Sequence, residues 1–452
     1  MTRTTKPRLR LLLLAISIGC CALGARFTVA QDKAAAAKSI DDKQLESGGI
    51  RKLLSKHLQL YTDVPSSPEV DRLPQLFDEA VPKWAKYFGV DLAKTEKWQA
   101  RAYLVGDRRR FEALGLLPPG REEFTNGISM GAELWLHDQP TPYYRRHLLL
   151  HEGTHVFTAS FLGGCGPGWY MEGTAELFGT HRLDEKTNQL EMRIMPRNRE
   201  EVPMLGRIKL ITDAIAEDRT HTIDEIMAFD NREQMSNEAY AWCWALAKFL
   251  DSHPKYRDRF RALGKQVLDP KFNEVMRRAY AKDWSNLNAE WQAYIAELDH
   301  GYDFDRMAID FGPGEPASAG GHQQIEIKAD QGWQSSGIKL EAGKSYKISA
   351  KGRYQITAEQ VDGKTQSWPC EPGGVTIEYH HGRPRGMLLG AIQPDTETPP
   401  NAECSFAKPT AIGLQAVLKP KVSGTLFLRV NDSAAHLDDN RGTCSVEITT
   451  AP

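Results

Sequence analysis

Two histidines and a glutamate at residues 151–155 have the types and the spacing of a metal-assisted hydrolase. On a helix, His151 and His155 lie on one face, one turn apart, so both imidazoles can bind a single metal ion. Glu152 points about 100° further round the helix, toward the side where a metal-bound water would lie. The pattern therefore indicates a zinc site in which Glu152 is the general base.

The flanking residues predict the helix that this spacing requires. Thr141 is an N-cap candidate, and Pro142 follows it at the first helical position. Helix-compatible residues continue to Leu162, and Gly163 and Gly164 then end them. We therefore expect a helix of about six turns that contains both histidines.

A catalytic zinc ion takes three protein ligands, so the two histidines need a third partner. The glycine-rich loop at 163–168 would reverse the chain, and the motif W-Y-M-E-G-T-A-E at 169–176 would return past the first helix. Glu172 is the candidate third ligand. Glu176, one turn further on, is a candidate to accept a hydrogen bond from the far nitrogen of a liganding histidine and so to fix its tautomer.

Together, the motifs H-E-G-T-H and W-Y-M-E-G-T-A-E resemble those of the gluzincin zinc metallopeptidases, the superfamily of thermolysin and aminopeptidase N. The chain is most similar to the bacterial peptidase MA-like branch, and the resemblance covers about residues 141–181. It implies a zinc hydrolase with Glu152 as general base and with the metal ligands His151, His155 and Glu172.

The residues around these motifs predict the two lobes of an α+β zincin-like domain. Before the zinc helix, the patterns predict a strand at 57–63, a helix at 70–88, and strands at 100–105 and 131–137. In the resemblance, the last of these strands is the sheet edge that holds extended substrate by backbone pairing. Short helices between 208 and 298 predict a helical second lobe that closes the cleft.

Tyr240 in the second lobe is a candidate oxyanion donor, because relatives of the resembled family carry a tyrosine on a similar helix. The alternative is that Tyr240 packs against Trp244, four residues further on, as part of an aromatic core. The sequence leaves both interpretations open.

The beginning of the chain predicts export. Basic residues precede an apolar run at 11–24 that is too short to span a bilayer, so residues 1–30 are typical of a signal peptide. We expect a periplasmic or extracellular protein, with lipid anchoring through Cys20 as the alternative. No other segment has the ~20 apolar residues of a transmembrane helix. The net charge of -2 gives no bias toward nucleic acid.

A linker at 312–321 separates the predicted zincin-like domain, residues 31–311, from an all-β domain at 322–452. Short alternating segments with turns between them predict a β-sandwich.

Sequence segments in this domain, such as G-W-Q-S-S-G-I and R-V-N-D, resemble the galactose-binding-like jelly rolls related to the bacterial galactophilic lectin. This resemblance implies glycan binding. In that lectin a calcium ion coordinates the sugar, and hard oxygen ligands for it are offered here by Asn431, Asp432, Asp438, Asp439 and Asn440. The alternative is that these residues form turns without an ion.

Five cysteines remain after the signal segment, an odd number that leaves at least one thiol unpaired. The preferred disulfide is Cys370 with Cys404, and Cys165 with Cys243 is a second pairing.

The sequence thus predicts a multidomain protein, an α+β zincin-like catalytic domain followed by an all-β jelly-roll sandwich. Its predicted function is that of an exported zinc metallopeptidase acting on peptides or proteins. The alternative is a carbohydrate-binding or adhesion protein whose zinc site is structural or vestigial.

Overall fold

A computed structural model describes residues 41–184, 186–229, 236–317, 322–396 and 404–450. The predicted signal peptide and residues 318–321 of the predicted linker lie outside the described residues.

A five-stranded sheet forms the base of the first part of the fold. Its strands are β1 (Arg51–Leu54), β2 (Leu58–Thr62), β3 (Ala100–Val105), β4 (Gly127–Met130) and β5 (Glu133–His137). Their order is β1-β2-β3-β5-β4; β2, β3 and β5 run parallel, and β1 and β4 are antiparallel to their neighbours. Three predicted strands are thereby confirmed at 58–62, 100–105 and 133–137.

The prediction that the strand before the helix at 142–162 forms the sheet edge is wrong, because β4 covers β5 on that side. Met130 pairs with Glu133, so only Gly131 and Ala132 connect the two strands. Gly131 has a φ of 62°, which suits the first central position of a two-residue hairpin turn. The edge strand is therefore β4, at residues 127–130.

Helices pack on this sheet and continue as a second, mainly helical lobe. They are α1 (Asp42–Ser47), α2 (Pro68–Asp71), α3 (Leu73–Phe88), α4 (Arg108–Ala113), α5 (Pro142–Leu162), α6 (Gly168–Gly179), α7 (Arg207–Ala216), α8 (Ile223–Met227), α9 (Asn237–Ser252), α10 (Arg257–Ala262), α11 (Phe272–Ala279), α12 (Trp284–Ala296) and α13 (Phe304–Met307). A hairpin of β6 (His181–Leu183) and β7 (Leu190–Met192) follows α6. The predicted helical character of the second lobe is confirmed.

Two apolar clusters hold these elements together. One lies between the sheet, α3 and α5, and it contains Phe77, Trp84 and Phe157. The other surrounds α9, whose Trp242 and Trp244 are buried among the helices of the second lobe. The long helix α5 and its neighbour α6 are therefore fixed from both sides.

The C-terminal part consists of strands. They are β8 (Glu315–Pro316), β9 (Gln323–Lys328), β10 (Gln334–Leu340), β11 (Tyr346–Lys351), β12 (Tyr354–Val361), β13 (Lys364–Cys370), β14 (Gly373–His380), β15 (Arg383–Pro394), β16 (Thr410–Ala411), β17 (Gln415–Leu418), β18 (Gly424–Val430) and β19 (Thr443–Thr450). One sheet has the order β14-β15-β18-β10-β8, with β16 paired to β15, and another has the order β17-β11-β19-β9. Their inner faces share one apolar core, which includes Leu428, Ile348 and Val446.

Two features of this part were not predicted. Residues 315–316 of the predicted linker pair in parallel with β10 as strand β8. A further apolar cluster joins Ala293 of α12 to Trp333 and Phe427 of the C-terminal part. The chain is thus a mixed α/β multidomain protein, with helices and several sheets.

Candidate metal centre

The helix α5 has the bounds that its flanking residues predict. The Thr141 hydroxyl accepts a hydrogen bond from the Tyr144 backbone N–H at 3.2 Å, and Pro142 is the first helical residue. Gly163 ends the helix in the left-handed conformation, with a φ of 77°. These local signals place His151 in the middle of a regular helix.

The loop after α5 reverses the chain, and α6 runs back past α5. This brings Glu172 against both histidines: its Oε2 lies 3.2 Å from His151 Nε2 and 3.4 Å from His155 Nε2. The two Nε2 atoms are 3.2 Å apart. His151 and Glu172 are buried, and His155 is partly buried. The structure thus brings the three predicted ligands together at one point.

This triangle of donor atoms has the size that one tetrahedral metal ion, such as zinc, requires. Ligand atoms about 2.0–2.1 Å from a tetrahedral ion lie roughly 3.3 Å from one another. The observed separations of 3.2 to 3.4 Å match that value. In addition, Glu172 Oε2 is buried and has no hydrogen-bond partner among the described residues. A cation at the centre of the triangle would satisfy this oxygen, which is otherwise costly to bury.

A second layer of charge lies behind the triangle. Glu176 is fully buried, and its Oε1 is 3.3 Å from His151 Nδ1, the nitrogen that faces away from the centre. Arg207 donates to both oxygens of Glu176, at 2.8 Å from Nε and 2.7 Å from Nη2. Burial opposes ionisation of Glu176, but Arg207 and His147 outweigh it and hold the pKa of the carboxyl well below its ordinary value. Glu176 is therefore an anion that can orient the His151 ring.

Sequence reasoning did not find Arg207. It begins α7 and lies in the buried interior beside Glu176. The local pattern around residue 207 carries no signal for this role, because the partner carboxylate is on a different helix.

Glu152 lies on the cleft side of the triangle. It is 7% exposed and lines a cleft of about 550 Å³ together with His151, His155 and Glu172. A Cβ built on Gly127 of β4 would lie only 2.8 Å from Glu152 Oε1, so the edge strand approaches this carboxylate closely. The glycine leaves Glu152 the space to face the cleft.

Tyr240 is on another wall of the same cleft. Its ring centroid lies 6.2 Å from that of His151, and the Arg207 guanidinium lies 5.6 Å from the Tyr240 ring centroid. Burial, together with the carboxylates of Glu172 and Glu152, raises the pKa of the Tyr240 hydroxyl, which therefore keeps its proton at neutral pH. Trp244 is buried in the core, whereas Tyr240 is only partly buried. This position allows the tyrosine to act in the cleft.

Close packing against neighbouring helices explains why glycine occupies a position inside each of the two motifs. A Cβ on Gly153 would lie 2.8 Å from both the Phe77 and Trp84 rings of α3. A Cβ on Gly173 would lie 2.7 Å from the Cys243 carbonyl oxygen of α9. The residue after Glu152 and the residue after Glu172 must therefore be small, because α5 and α6 approach their neighbours closely there.

Two of the five candidate calcium ligands, Asp432 and Asp439, accept hydrogen bonds from the protein through their carboxylates. Both oxygens of Asp432 accept from Arg385, at 2.7 and 3.2 Å. Asp439 Oδ2 accepts from the Thr357 hydroxyl at 3.1 Å. However, Asp439 Oδ1 and Asn440 Oδ1 are buried without a hydrogen-bond partner. Calcium binding here stays a prediction, and Asp432 is already neutralised by an arginine.

The predicted disulfide between Cys370 and Cys404 is wrong. Both are free thiols, as are the other three cysteines of the described residues. The Cys404 Sγ faces the Ala289 carbonyl of α12 at 3.6 Å, whereas Cys370 lies in the core between the two C-terminal sheets. Cys165, the first residue of the second predicted pair, lines the metal cleft.

Comparison with known proteins gives distant structural similarities. No protein-family model and no curated protein matches the chain. A solved structure described as the EclA N-terminal domain, a PllA-like lectin, is 20% identical, with 28% of this chain and 96% of that chain covered and a TM-score of 0.22. The IMPa metallopeptidase from Pseudomonas aeruginosa is 12% identical, with 87% of this chain covered and a TM-score of 0.17.

The chain spans 46% of the length of that metallopeptidase. Because both TM-scores are low, the functional interpretation rests on the geometry of the site. Within the described ranges, no helix combines the length and apolar character that crossing a bilayer requires.

Proposed function

We propose that the chain is a zinc-dependent metallopeptidase of the gluzincin type that hydrolyses peptide bonds, with His151, His155 and Glu172 as metal ligands. The observation that carries this proposal is the triangle of donor atoms, separated by 3.2 to 3.4 Å, with Glu152 beside it in an open cleft. Two imidazoles and one carboxylate are a known ligand set of catalytic zinc, which keeps a further position for solvent.

When bound, zinc lowers the pKa of its water toward 7 and polarises the substrate carbonyl. Glu152 is placed to accept a proton from the attacking water and to return it to the leaving amine. Tyr240 is placed to donate a hydrogen bond to the carbonyl oxygen as negative charge develops on it. Glu176, neutralised by Arg207, is placed 3.3 Å behind His151 Nδ1 to orient the ring.

The position of the edge strand β4 favours a peptide as the substrate. It ends the sheet order, and Ile128 and Ser129 of this strand line the cleft beside Glu152. An extended peptide can add to such an edge through backbone hydrogen bonds, which give affinity with little sequence selectivity. Peptide binding along β4 would present a scissile carbonyl to the cleft.

The remaining assignments are also proposals. Residues 31–311 would form the zincin-like catalytic domain, and residues 322–452 a galactose-binding-like jelly roll that carries the enzyme to glycan. Export to the periplasm or beyond is likewise proposed, from the signal-peptide pattern at 1–30 alone.

A peptide-library digest with the variant Glu152→Gln tests the function. The unaltered chain should cleave peptides, lose activity with a chelator and regain it with zinc. Glu152→Gln should retain zinc and lose hydrolysis, because the amide does not accept the proton. The matched control is Glu123→Gln, which changes another cleft glutamate whose carboxylate pairs with Arg108.

Hydrolysis by Glu152→Gln at the rate of the unaltered chain would contradict the proposal. Zinc binding without hydrolysis of any peptide, combined with binding on a glycan array, would instead support the carbohydrate-binding alternative.

A further inference from the structure

A second group of metal-ligating side chains lies far from the cleft motifs in sequence. Glu297 follows α12, whereas His380 and His381 are at the turn between β14 and β15. Glu297 Oε2 is 3.0 Å from His380 Nε2 and 3.4 Å from His381 Nε2. These atoms join the helical lobe to the C-terminal sheets, beside the apolar cluster that contains Ala293 and Trp333.

The turn holds its histidines in a constrained geometry. His380 pairs with Arg383, so His381 and Gly382 are the two central residues of the hairpin. His381 has a φ of 48°, in the left-handed region where asparagine or glycine is preferred. The buried Asn431 amide donates to the carbonyl oxygens of His380 and Arg383, at 3.1 and 3.2 Å. The Asn431 hydrogen bonds therefore fix the turn, and His381 occupies a position whose backbone conformation favours asparagine or glycine.

One of the two carboxylate oxygens of Glu297 faces the histidines and is placed to bind a cation. Glu297 Oε1 is 3.1 Å from Arg429 Nη1, whereas Oε2 faces the two imidazoles. The group therefore offers an anionic oxygen and two imidazole nitrogens, with the half-exposed His381 open to solvent.

We propose that Glu297, His380 and His381 bind a second divalent transition-metal ion, of the zinc class. The three donor atoms lie within 4.8 Å of one another, and two nitrogens with one oxygen are a donor set that suits zinc and its neighbours in the first transition row. The separations of 3.0 and 3.4 Å bracket the roughly 3.3 Å expected between ligands of one tetrahedral ion.

This site shares no residue with the triangle of His151, His155 and Glu172. An ion bound here would link α12 to the β14–β15 turn and so stabilise the contact between the helical and the β-rich parts. Its role is therefore structural, and it does not depend on the proposed hydrolase activity.

Zinc titration of the metal-free, full chain tests the site. Equilibrium dialysis with metal analysis should find one ion fewer in the variant His381→Asn than in the unaltered chain. Asparagine removes the imidazole but tolerates the left-handed backbone of the turn. The matched control is His436→Asn, which changes an exposed histidine of the same part and should leave the zinc content unchanged.

The variant His151→Ala separates this proposal from the proposed function. It should retain the ion at Glu297, and zinc should still raise the midpoint of its thermal unfolding. In the double variant with His381→Asn, that zinc-dependent rise should disappear. Equal zinc content in the unaltered chain and in His381→Asn would overturn the second site. A cooperative thermal unfolding transition of the metal-free His381→Asn chain shows that the variant is folded.

Discussion

Replacing Gly173 by alanine tests whether the packing of α6 against α9 sets the position of Glu172. The added Cβ would lie 2.7 Å from the Cys243 carbonyl oxygen and 3.1 Å from the Ala247 Cβ. Ordinary contacts of carbon are roughly 3.5 Å, so α6 would have to move away by several tenths of an ångström. Overpacking of this kind costs about 1–3 kcal/mol.

Whether Gly173→Ala raises or lowers the thermal midpoint distinguishes helix propensity from overpacking. Helix propensity alone favours alanine over glycine by about 1 kcal/mol, and it would raise the thermal midpoint by about 2–4 °C. Overpacking of about 1–3 kcal/mol, less this gain of about 1 kcal/mol, gives a net loss of up to about 2 kcal/mol, and thus a midpoint up to about 8 °C lower. Because Glu172 adjoins residue 173, zinc affinity should also fall by about tenfold or more.

Differential scanning calorimetry of the metal-free chain and zinc titration against a competing chelator measure both effects. The control is Gly312→Ala, because no atom lies within 4 Å of a Cβ built at that position. A raised midpoint in Gly173→Ala with unchanged zinc affinity would refute the packing argument.

Three further predictions concern the same site. Gly127→Ala places a methyl group against the Glu152 carboxylate and should displace it, so kcat should fall about 10–100-fold at unchanged zinc content. An unchanged kcat in steady-state assays would contradict this prediction. Arg207→Met leaves Glu176 buried without its cation and should weaken zinc binding about 10–100-fold in a chelator competition; equal affinity would count against this role. In the metal-free chain, burial lowers the pKa of His151, but the Glu172 and Glu176 carboxylates outweigh it and raise that pKa to about 9. Zinc must displace this proton, so affinity should rise about tenfold per pH unit between pH 7 and 9 from this group and then level off. Calorimetry in buffers of different ionisation enthalpy should detect proton release at pH 7, and its absence would disprove the assignment.

The sequence was sufficient to predict the elements whose signals are local. The helix α5 runs from Pro142 to Leu162, as Thr141 and Gly163 indicate, because caps act on the nearest turn. The meeting of Glu172 with the two histidines also followed from local signals, since a glycine-rich loop between two helices returns the second one past the first.

Other features depend on residues that are distant in sequence. Arg207 of α7 donates to Glu176 of α6, and the sequence around either residue does not predict this pair. The sequence does not predict the edge strand β4, because the turn at Gly131 continues directly into the apolar alternation of β5. The meeting of Glu297 with the turn at 380–381 depends on how the two parts pack, which no local pattern encodes.

The most direct test of the account is the coordination of zinc in the variant His381→Asn, measured by X-ray absorption spectroscopy. With the second site removed, we expect nitrogen and oxygen ligands alone at about 2.0–2.1 Å, from His151, His155, Glu172 and solvent. A sulfur ligand at about 2.3 Å would contradict it, because Cys165 lines the same cleft and would then close the position that hydrolysis needs for water.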